Sequence, residues 1–137
     1  MFFERRINYY ETDGMQIVHH SNYIRFLEEA RIFLMDKIGL PYKTFEDNGL
    51  MIPVLEVKCK YKFPAKFDDI ILIDTKIKEF NGIHMVVEYI ITNKETGNIV
   101  ATAETKHCFT NENLKPISLK KLRPDMYEIF LKYTENS

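Results

Sequence analysis

The chain has 137 residues, with 19 Lys and Arg against 20 Asp and Glu, so its formal net charge is −1. At about 100–200 residues per domain, that length holds one domain and hardly a second. The 45% of hydrophobic and 28% of charged residues exclude a disordered chain, and the balanced charge argues against a dedicated nucleic-acid binder. No apolar run approaches the ~18–20 residues that cross a bilayer. Met1 to Arg6 lacks the apolar region of a signal peptide. Cys59 and Cys108 stand far apart and outside any C-x-x-C, so a reduced, cytoplasmic setting is expected. Aromatic residues reach 13%, as 10 Phe and 8 Tyr with no Trp, which predicts either a thick core or a sizeable partner interface.

No repeat, low-complexity tract or Gly/Ser/Pro-rich linker interrupts the chain, so residues 1–137 read as a single domain. Phe2 to Tyr10 alternates and is aromatic, which predicts a first strand. Glu11 to Ser21 reads as a long loop containing Gly14. Tyr23, Phe26, Leu27, Ala30, Leu34 and Ile38 then recur at i, i+3, i+4, drawing one apolar stripe down a helix of roughly five turns over 22–39. Ser21 or Asn22 is placed to cap its start, Gly39 supplies a left-handed C′ position, and Pro41 blocks continuation. Ile24, Ile32 and Phe33 widen the stripe.

Beyond Gly49 the hydrophobic period changes to two. Ile52 to Tyr61 alternates Val57, Cys59 and Tyr61 with Lys58 and Lys60. Ile71, Ile73, Thr75 and Ile77 define the next strand, closed by Asn81-Gly82. His84 to Thr92 and Ile99 to Thr110 follow, the last with small residues Ala101, Ala103 and Thr105 on one face. From Pro116 the pattern is helical again, through Met126, Ile129, Phe130 and Tyr133. Short turns between consecutive strands demand antiparallel pairing. The expected architecture is therefore α+β, with one long helix covering a curled antiparallel sheet of about five strands.

The G-x-S-x-G elbow, the glycine-rich phosphate loop and the H-E-x-x-H metal pair are all absent. Chemistry concentrates in Tyr10 to Tyr23, where Asp13 stands in a loop that feeds a helix N-terminus. First-turn amides have no intrahelical partner and carry the positive end of the macrodipole, so they can hold an oxyanion. A nearby carboxylate can attack an acyl carbon or activate water. A thioester suits such equipment, because its thiolate leaves with a conjugate-acid pKa near ~8.5 and asks little of a general acid. Taken alone, an Asp before a helix is more often a turn or capping residue. His19-His20 offers no third ligand by spacing, so no metal site is expected. Lys58, Lys60 and Lys62 read as a solvent face that can also meet a phosphate-bearing ligand.

Tyr9-Tyr10-Glu11-Thr12-Asp13, Ile17-Val18-His19-His20-Ser21-Asn22-Tyr23, Phe26 and Glu29-Ala30-Arg31 together resemble the signature of hotdog-fold acyl-CoA thioesterases. The similarity is to the 4-hydroxybenzoyl-CoA thioesterase type that includes YbgC-like enzymes. It extends through the strand order to Asn113-Leu114-Lys115-Pro116-Ile117. The resemblance implies a hydrolase of acyl-CoA or acyl carrier protein thioesters that needs no metal or cofactor. In it, Asp13 is the catalytic nucleophile or general base, and the backbone N–H of His20 polarises the thioester carbonyl. His19, Asn22 and Tyr23 stand near the acyl group. It also implies a homodimer or homotetramer, joined edge to edge with active sites at the interface. Gln16 departs from the pattern, which has Gly there, while Gly14 lies two residues earlier. That departure favours a second reading, a non-catalytic acyl-thioester binder or envelope- or lipid-associated accessory protein; a purely structural dimerisation module is a third. The alternative thioesterase layout, with an H-G-G loop and a carboxylate on the central helix, lacks its loop here.

Overall fold

The switch from helical to two-residue periodicity takes physical form as a helix laid across a sheet. The computed structural model describes residues 1–134. Strand β1 (Phe2–Arg6) leads through a 3-10 turn (Tyr9–Glu11) and an irregular loop into helix α1 (Ser21–Lys37). A short helix α2 (Tyr42–Asp47) and strand β2 (Leu50–Met51) follow. The long strands β3 (Val54–Tyr61), β4 (Ile70–Phe80), β5 (His84–Asn93) and β6 (Ile99–Cys108) come next. Strand β7 (Thr110–Asn111) and helices α3 (Leu119–Leu122) and α4 (Pro124–Lys132) complete the chain.

Helix α1 buries Tyr23, Phe26, Leu27, Ala30 and Leu34 of the expected stripe together with Met35, and Ile38 is buried just past its end, whereas Ile24 and Ile32, expected to widen the stripe, are exposed. Its end is set by Gly39 at φ +87°, with the Leu40 amide donating to the Met35 carbonyl at 2.9 Å and the Gly39 amide to Asp36 at 3.3 Å. This pair of bonds is a Schellman closure, and only a residue tolerant of positive φ permits it. The helix start differs from expectation. Neither Ser21 nor Asn22 is the cap: the residue before the helix is His20, with helical φ and ψ and no side-chain cap of its own. Asn22 instead turns its amide inward to donate to the Glu11 carbonyl at 2.8 Å.

Strand β1 and the four long strands form one antiparallel sheet in the order β1-β4-β5-β6-β3. Sequential pairing holds for β4, β5 and β6. Strand β3 does not neighbour β4; it lies at the far edge, on β6, with Val57 opposite Thr105 and Cys59 opposite Ala103. The segment after Tyr61 carries the chain across, its Lys62 and Phe63 amides held by the Val100 carbonyl. The first strand is also shorter than expected, because the chain leaves the sheet after Arg6 and coils into the 3-10 turn.

One sheet face meets α1 through Ile71, Ile73 and Ile77 on β4 and Met85, Val87 and Ile91 on β5, all buried. At the other end of the core, Phe45, Phe80, Phe109 and Phe130 pack ring against ring and hold α4 to the sheet, Phe80 and Phe130 with centroids 5.2 Å apart. The small residues of β6 make room for Tyr89, whose ring lies opposite Ala103. A polar chain runs through this apolar interior. Arg31 donates to the Tyr89 hydroxyl at 3.2 Å, that hydroxyl lies 2.6 Å from Thr105 Oγ1, and Thr105 lies 2.8 Å from His107 Nε2. His107 is 1% exposed. Burial first, and the Arg31 charge second, lower its pKa from 6.5 to about 4.

The sign follows from linkage. The unfolded chain protonates this imidazole before the folded one does, so its stabilising contribution is complete above about pH 6.5 and is lost as pH falls toward 4. The loss amounts to at most about 3 kcal/mol. Urea unfolding at pH 7 and pH 4.5 should show a shallower acid slope for His107→Phe than for the wild type.

Candidate active site

Between the 3-10 turn and α1 the chain makes a small hairpin closed by its own backbone. Thr12 bridges Val18, the Asp13 amide donates to the Ile17 carbonyl at 2.8 Å, and the Gln16 amide to the Asp13 carbonyl at 2.9 Å. Asp13 Oδ1 accepts the Met15 amide at 2.8 Å, leaving Oδ2 without a donor among the described residues. The reversal that closes this turn puts Gln16 at φ +66°. An L-residue in the left-handed region costs about 1–2 kcal/mol over the right-handed one, a penalty glycine avoids. The glycine two residues earlier, Gly14, is not at a positive-φ position.

The hairpin is tied to its surroundings on two sides. Val18 donates to the Ala65 carbonyl at 2.8 Å and Ile17 bridges Lys66, which brings the segment after β3 against the loop. On the other side the Glu11 carbonyl receives both the His19 amide at 2.9 Å and the Asn22 side chain. Beneath that carbonyl lies an ionic node. The Glu11 side chain, in a residue only 5% exposed, accepts Arg5 Nη1 at 2.8 Å and the Asn8 amide at 2.7 Å. Arg5 Nε reaches Glu29 Oε1 at 2.8 Å, and its guanidinium lies 4.2 Å over the Phe26 ring. Burial raises the Glu29 pKa, and Arg5 opposes that rise.

His19, His20 and Asn22 therefore stand at the first turn of α1, and Asp13 lies in the hairpin that feeds it. His19 Nδ1 accepts the Ser21 amide at 3.2 Å and lies 2.8 Å from the Ser21 hydroxyl, so this ring takes over the capping task. The His19 and His20 rings stack at 4.3 Å. The Asn22 and Tyr23 amides are spent on the carbonyls of His19 and His20, whereas the exposed His20 amide bonds to no acceptor among the described residues. Tyr23 turns away from the loop into the core, 4% exposed, with its ring against Phe26 and Tyr61. Burial pushes its hydroxyl up to about 12, so the phenol keeps its proton. Among the described residues no three His, Cys, Asp or Glu side chains converge as a metal site. Exposed Tyr10, Met15, Phe63 and Phe67 stand on the same segments as the loop and its neighbour.

Residues 7–130 match the Thioesterase-like superfamily. The chain belongs to that superfamily. It is 33% identical over 130 residues to the Bacillus subtilis (strain 168) protein YneP, provisionally named an acyl-CoA thioesterase, covering 94% of each. The acyl-CoA thioesterase YbgC of Haemophilus influenzae is 26% identical over 120 residues, which are 87% of this chain and 88% of that one. Among solved structures, the DHNA-CoA thioesterase of Staphylococcus aureus has a TM-score of 0.91 at 30% identity, over 96% of this chain and 88% of its own. The architecture of this superfamily member is the hotdog fold that its sequence resembles.

Sequence reasoning assigned no role to Arg5, and none to Glu11 beyond its place in the signature. Asn8-x-x-Glu11 has the spacing of a capping box, the one local signal that Glu11 turns back on its own turn. Removing Arg5 should strand the Glu11 carboxylate inside the protein. We expect Arg5→Met to cost ~3 kcal/mol in urea unfolding, and amide exchange over residues 12–20 to quicken more than in β5. Gln16→Gly should do the reverse, slowing exchange in the hairpin because the left-handed turn no longer carries a side chain.

Proposed function

We propose that this thioester hydrolase cleaves acyl-CoA thioesters, or acyl carrier protein thioesters, at the Asp13 hairpin. The observations that support the proposal are a carboxylate oxygen without a donor among the described residues, Asp13 Oδ2, and an unspent His20 amide at the start of α1, both carried by the same short hairpin and helix start. The thioester carbonyl oxygen takes its developing charge to that amide, where the helix dipole favours it. Asp13 either attacks the acyl carbon itself, giving an anhydride that water then opens, or removes a proton from the attacking water. On either route the C–S bond breaks, the thiolate leaves with the bonding pair and is protonated. Water supplies the oxygen and hydrogens that complete the acid and the thiol. Neither route calls on a metal or cofactor.

Two further features fit. Lys60, Lys62 and Lys66 are exposed and pair with no carboxylate among the described residues, so they are available to the phosphates of a CoA carrier. Strand β3 forms an edge of the sheet and exposes Val54, Leu55 and Tyr61, and α1 exposes Ile24 and Ile32. In our reading a second copy pairs along this edge as a homodimer, which can associate further into a homotetramer. Residues 1–137 act as one cytoplasmic domain. No helix among the described residues is long and apolar enough to cross a membrane.

The non-catalytic reading rested on Gln16. Gln16 itself takes a positive φ, so the hairpin closes with this residue in place of glycine, which weakens that reading. Asp13→Asn should lower kcat by about 10²-fold or more on a panel of short, long and aromatic acyl-CoAs, with KM little changed. Equal, poor hydrolysis by variant and wild type across the whole panel would sink the assignment. Single-turnover hydrolysis in ¹⁸O-water separates the two routes, because only attack by Asp13 transfers a protein oxygen to the first product.

A further inference from the structure

Arg31 has more binding capacity than the fold uses. The residue is half-buried on α1, and its Nη1 donates to the Tyr89 hydroxyl at 3.2 Å. A guanidinium carries five N–H donors and a fixed positive charge. Among the described residues no carboxylate pairs with this one and no second acceptor bonds it. The other arginines differ. Arg5, Arg6 and Arg123 each hold a carboxylate, and Arg25 lies exposed to water. A cation partly withdrawn from water with only a neutral hydroxyl for company is costly to keep.

That charge borders an open space. A cavity of about 450 Å³ lies under the later turns of α1, walled mainly by apolar side chains such as Met35, Ile77, Val87 and Phe130, with Arg31 in the lining. The volume is in the range of small-molecule sites. His107 belongs to the wall behind. It is 1% exposed, its Nε2 is committed to Thr105, and burial holds its pKa at about 4, so it adds no positive charge near neutral pH. Glu28 and Glu46 stand exposed at the border, and neither pairs with Arg31. Among the described residues Arg31 is thus the one cation of this lining.

These features specify the occupant. An apolar chamber of this size favours a hydrocarbon body. The planar fork of Arg matches a carboxylate through parallel N–H···O bonds that are stronger than neutral ones. Tyr89 holds one nitrogen from behind, which fixes the guanidinium before a ligand arrives. The carboxylates at the border disfavour a multiply charged head such as a phosphate, so a single negative charge on an apolar body is the better match. Ile32 and Val54 also border the cavity and belong to the surface given above to a second copy. The α2 border, with half-buried Tyr42 and exposed Glu46, lies outside that surface and remains open to a ligand.

We propose that Arg31 anchors a second binding site, at which this cavity takes an apolar monocarboxylate such as a free medium-chain acid, its carboxylate on the guanidinium and its hydrocarbon body among Met35, Ile77, Val87 and Phe130. The site is separate from the Asp13 hairpin: Arg31 stands three turns along α1 from His20, about 16 Å at the rise of an α-helix. The proposal does not rest on the hydrolase reading, since binding alone defines it. An acid is also the product of the proposed reaction, so the test separates the two places.

Titration calorimetry on the whole protein compares octanoate with octan-1-ol, its neutral counterpart of equal length. Octanoate should bind saturably and about tenfold or more tighter than octanol, the worth of one charge-assisted hydrogen bond. Arg31→Met should abolish that advantage and leave octanol affinity within a few fold. Arg31→Lys, which keeps the charge but not the fork, should reduce the advantage and serves if the Met variant fails to fold. Asp13→Asn should leave both affinities unchanged, which places the ligand at Arg31 whether or not Asp13 hydrolyses thioesters. Absence of saturable octanoate binding, equal affinities for acid and alcohol, or an advantage that survives in folded Arg31→Met protein overturns the proposal. So does an octanoate affinity lost in Asp13→Asn. Dissociation of a dimer by Arg31→Met, with no octanoate bound by the wild type, would assign Arg31 to a carboxylate of the second copy and overturn it as well.

Discussion

The placement of the reacting loop depends on one guanidinium. Arg5 leaves the sheet on β1 and meets Glu11 of the 3-10 turn, Glu29 of α1 and the face of Phe26. Three elements that are distant in sequence thereby acquire a common point. The planar fork of Arg is what allows it: two carboxylates bind at different nitrogens while the ring packs flat against the guanidinium face, a geometry Lys lacks. Such a node is a poor source of stability, because desolvation consumes most of the Coulombic gain. Its value is positional. With the Glu11 side chain fixed from below, the Glu11 carbonyl above is free to take His19 and Asn22, and the first turn of α1 is set relative to the Asp13 hairpin.

That same hairpin carries one of the three non-glycine residues that the described chain holds at positive φ. The backbone that aims Asp13 closes through a left-handed Gln16, a conformation that persists only when neighbouring contacts over-determine it. Those contacts are present in the bonds from Asp13 to Ile17, Gln16 to Asp13 and Val18 to Ala65. The carboxylate itself is half committed. One oxygen accepts the Met15 amide, which fixes the side chain, and the other has no donor among the described residues. A carboxylate fully satisfied by amides would be rigid but chemically idle, whereas an unanchored one would be reactive but unplaced.

What the sequence disclosed depends on the range of the forces involved. The α1 stripe and its Gly39 terminus are local facts, written in residues three or four apart, and they appear as expected. The β4–β6 meander follows from its short turns in the same way. Local pattern carries no information about which edge a strand occupies, so the place of β3 on β6 was not legible, although its half-exposed alternation was. The helix start misled for a related reason. Ser21 and Asn22 have the right chemistry to cap, but the tertiary demand of the Glu11 carbonyl recruits Asn22, and a histidine does the capping instead. The roles proposed for Asp13 and the His20 amide rest mainly on the resemblance, since an Asp before a helix is by itself ordinary. Arg5 and Glu11 escaped notice because charged residues near a strand end read as solvent-facing until burial is known.

The aromatic surplus divides along the same lines, and the division explains why one helix can serve two ends. Phe45, Phe109 and Phe130 are wholly buried and form a rigid plug with Phe80 at the α4 side. Tyr9, Tyr10, Phe63 and Phe67 remain exposed on the segments that flank the hairpin. Between these groups α1 supplies amides and dipole at its start and apolar wall along its later turns. The plug braces the cavity end, so that empty space there need not collapse, and the ionic node braces the amide end, where apolar packing alone would not fix an angle. A helix held at only one end could keep its reacting group or its cavity in register with the sheet, but not both. In the proposed reaction that double anchorage holds the carbonyl site in one fixed geometry relative to the sheet.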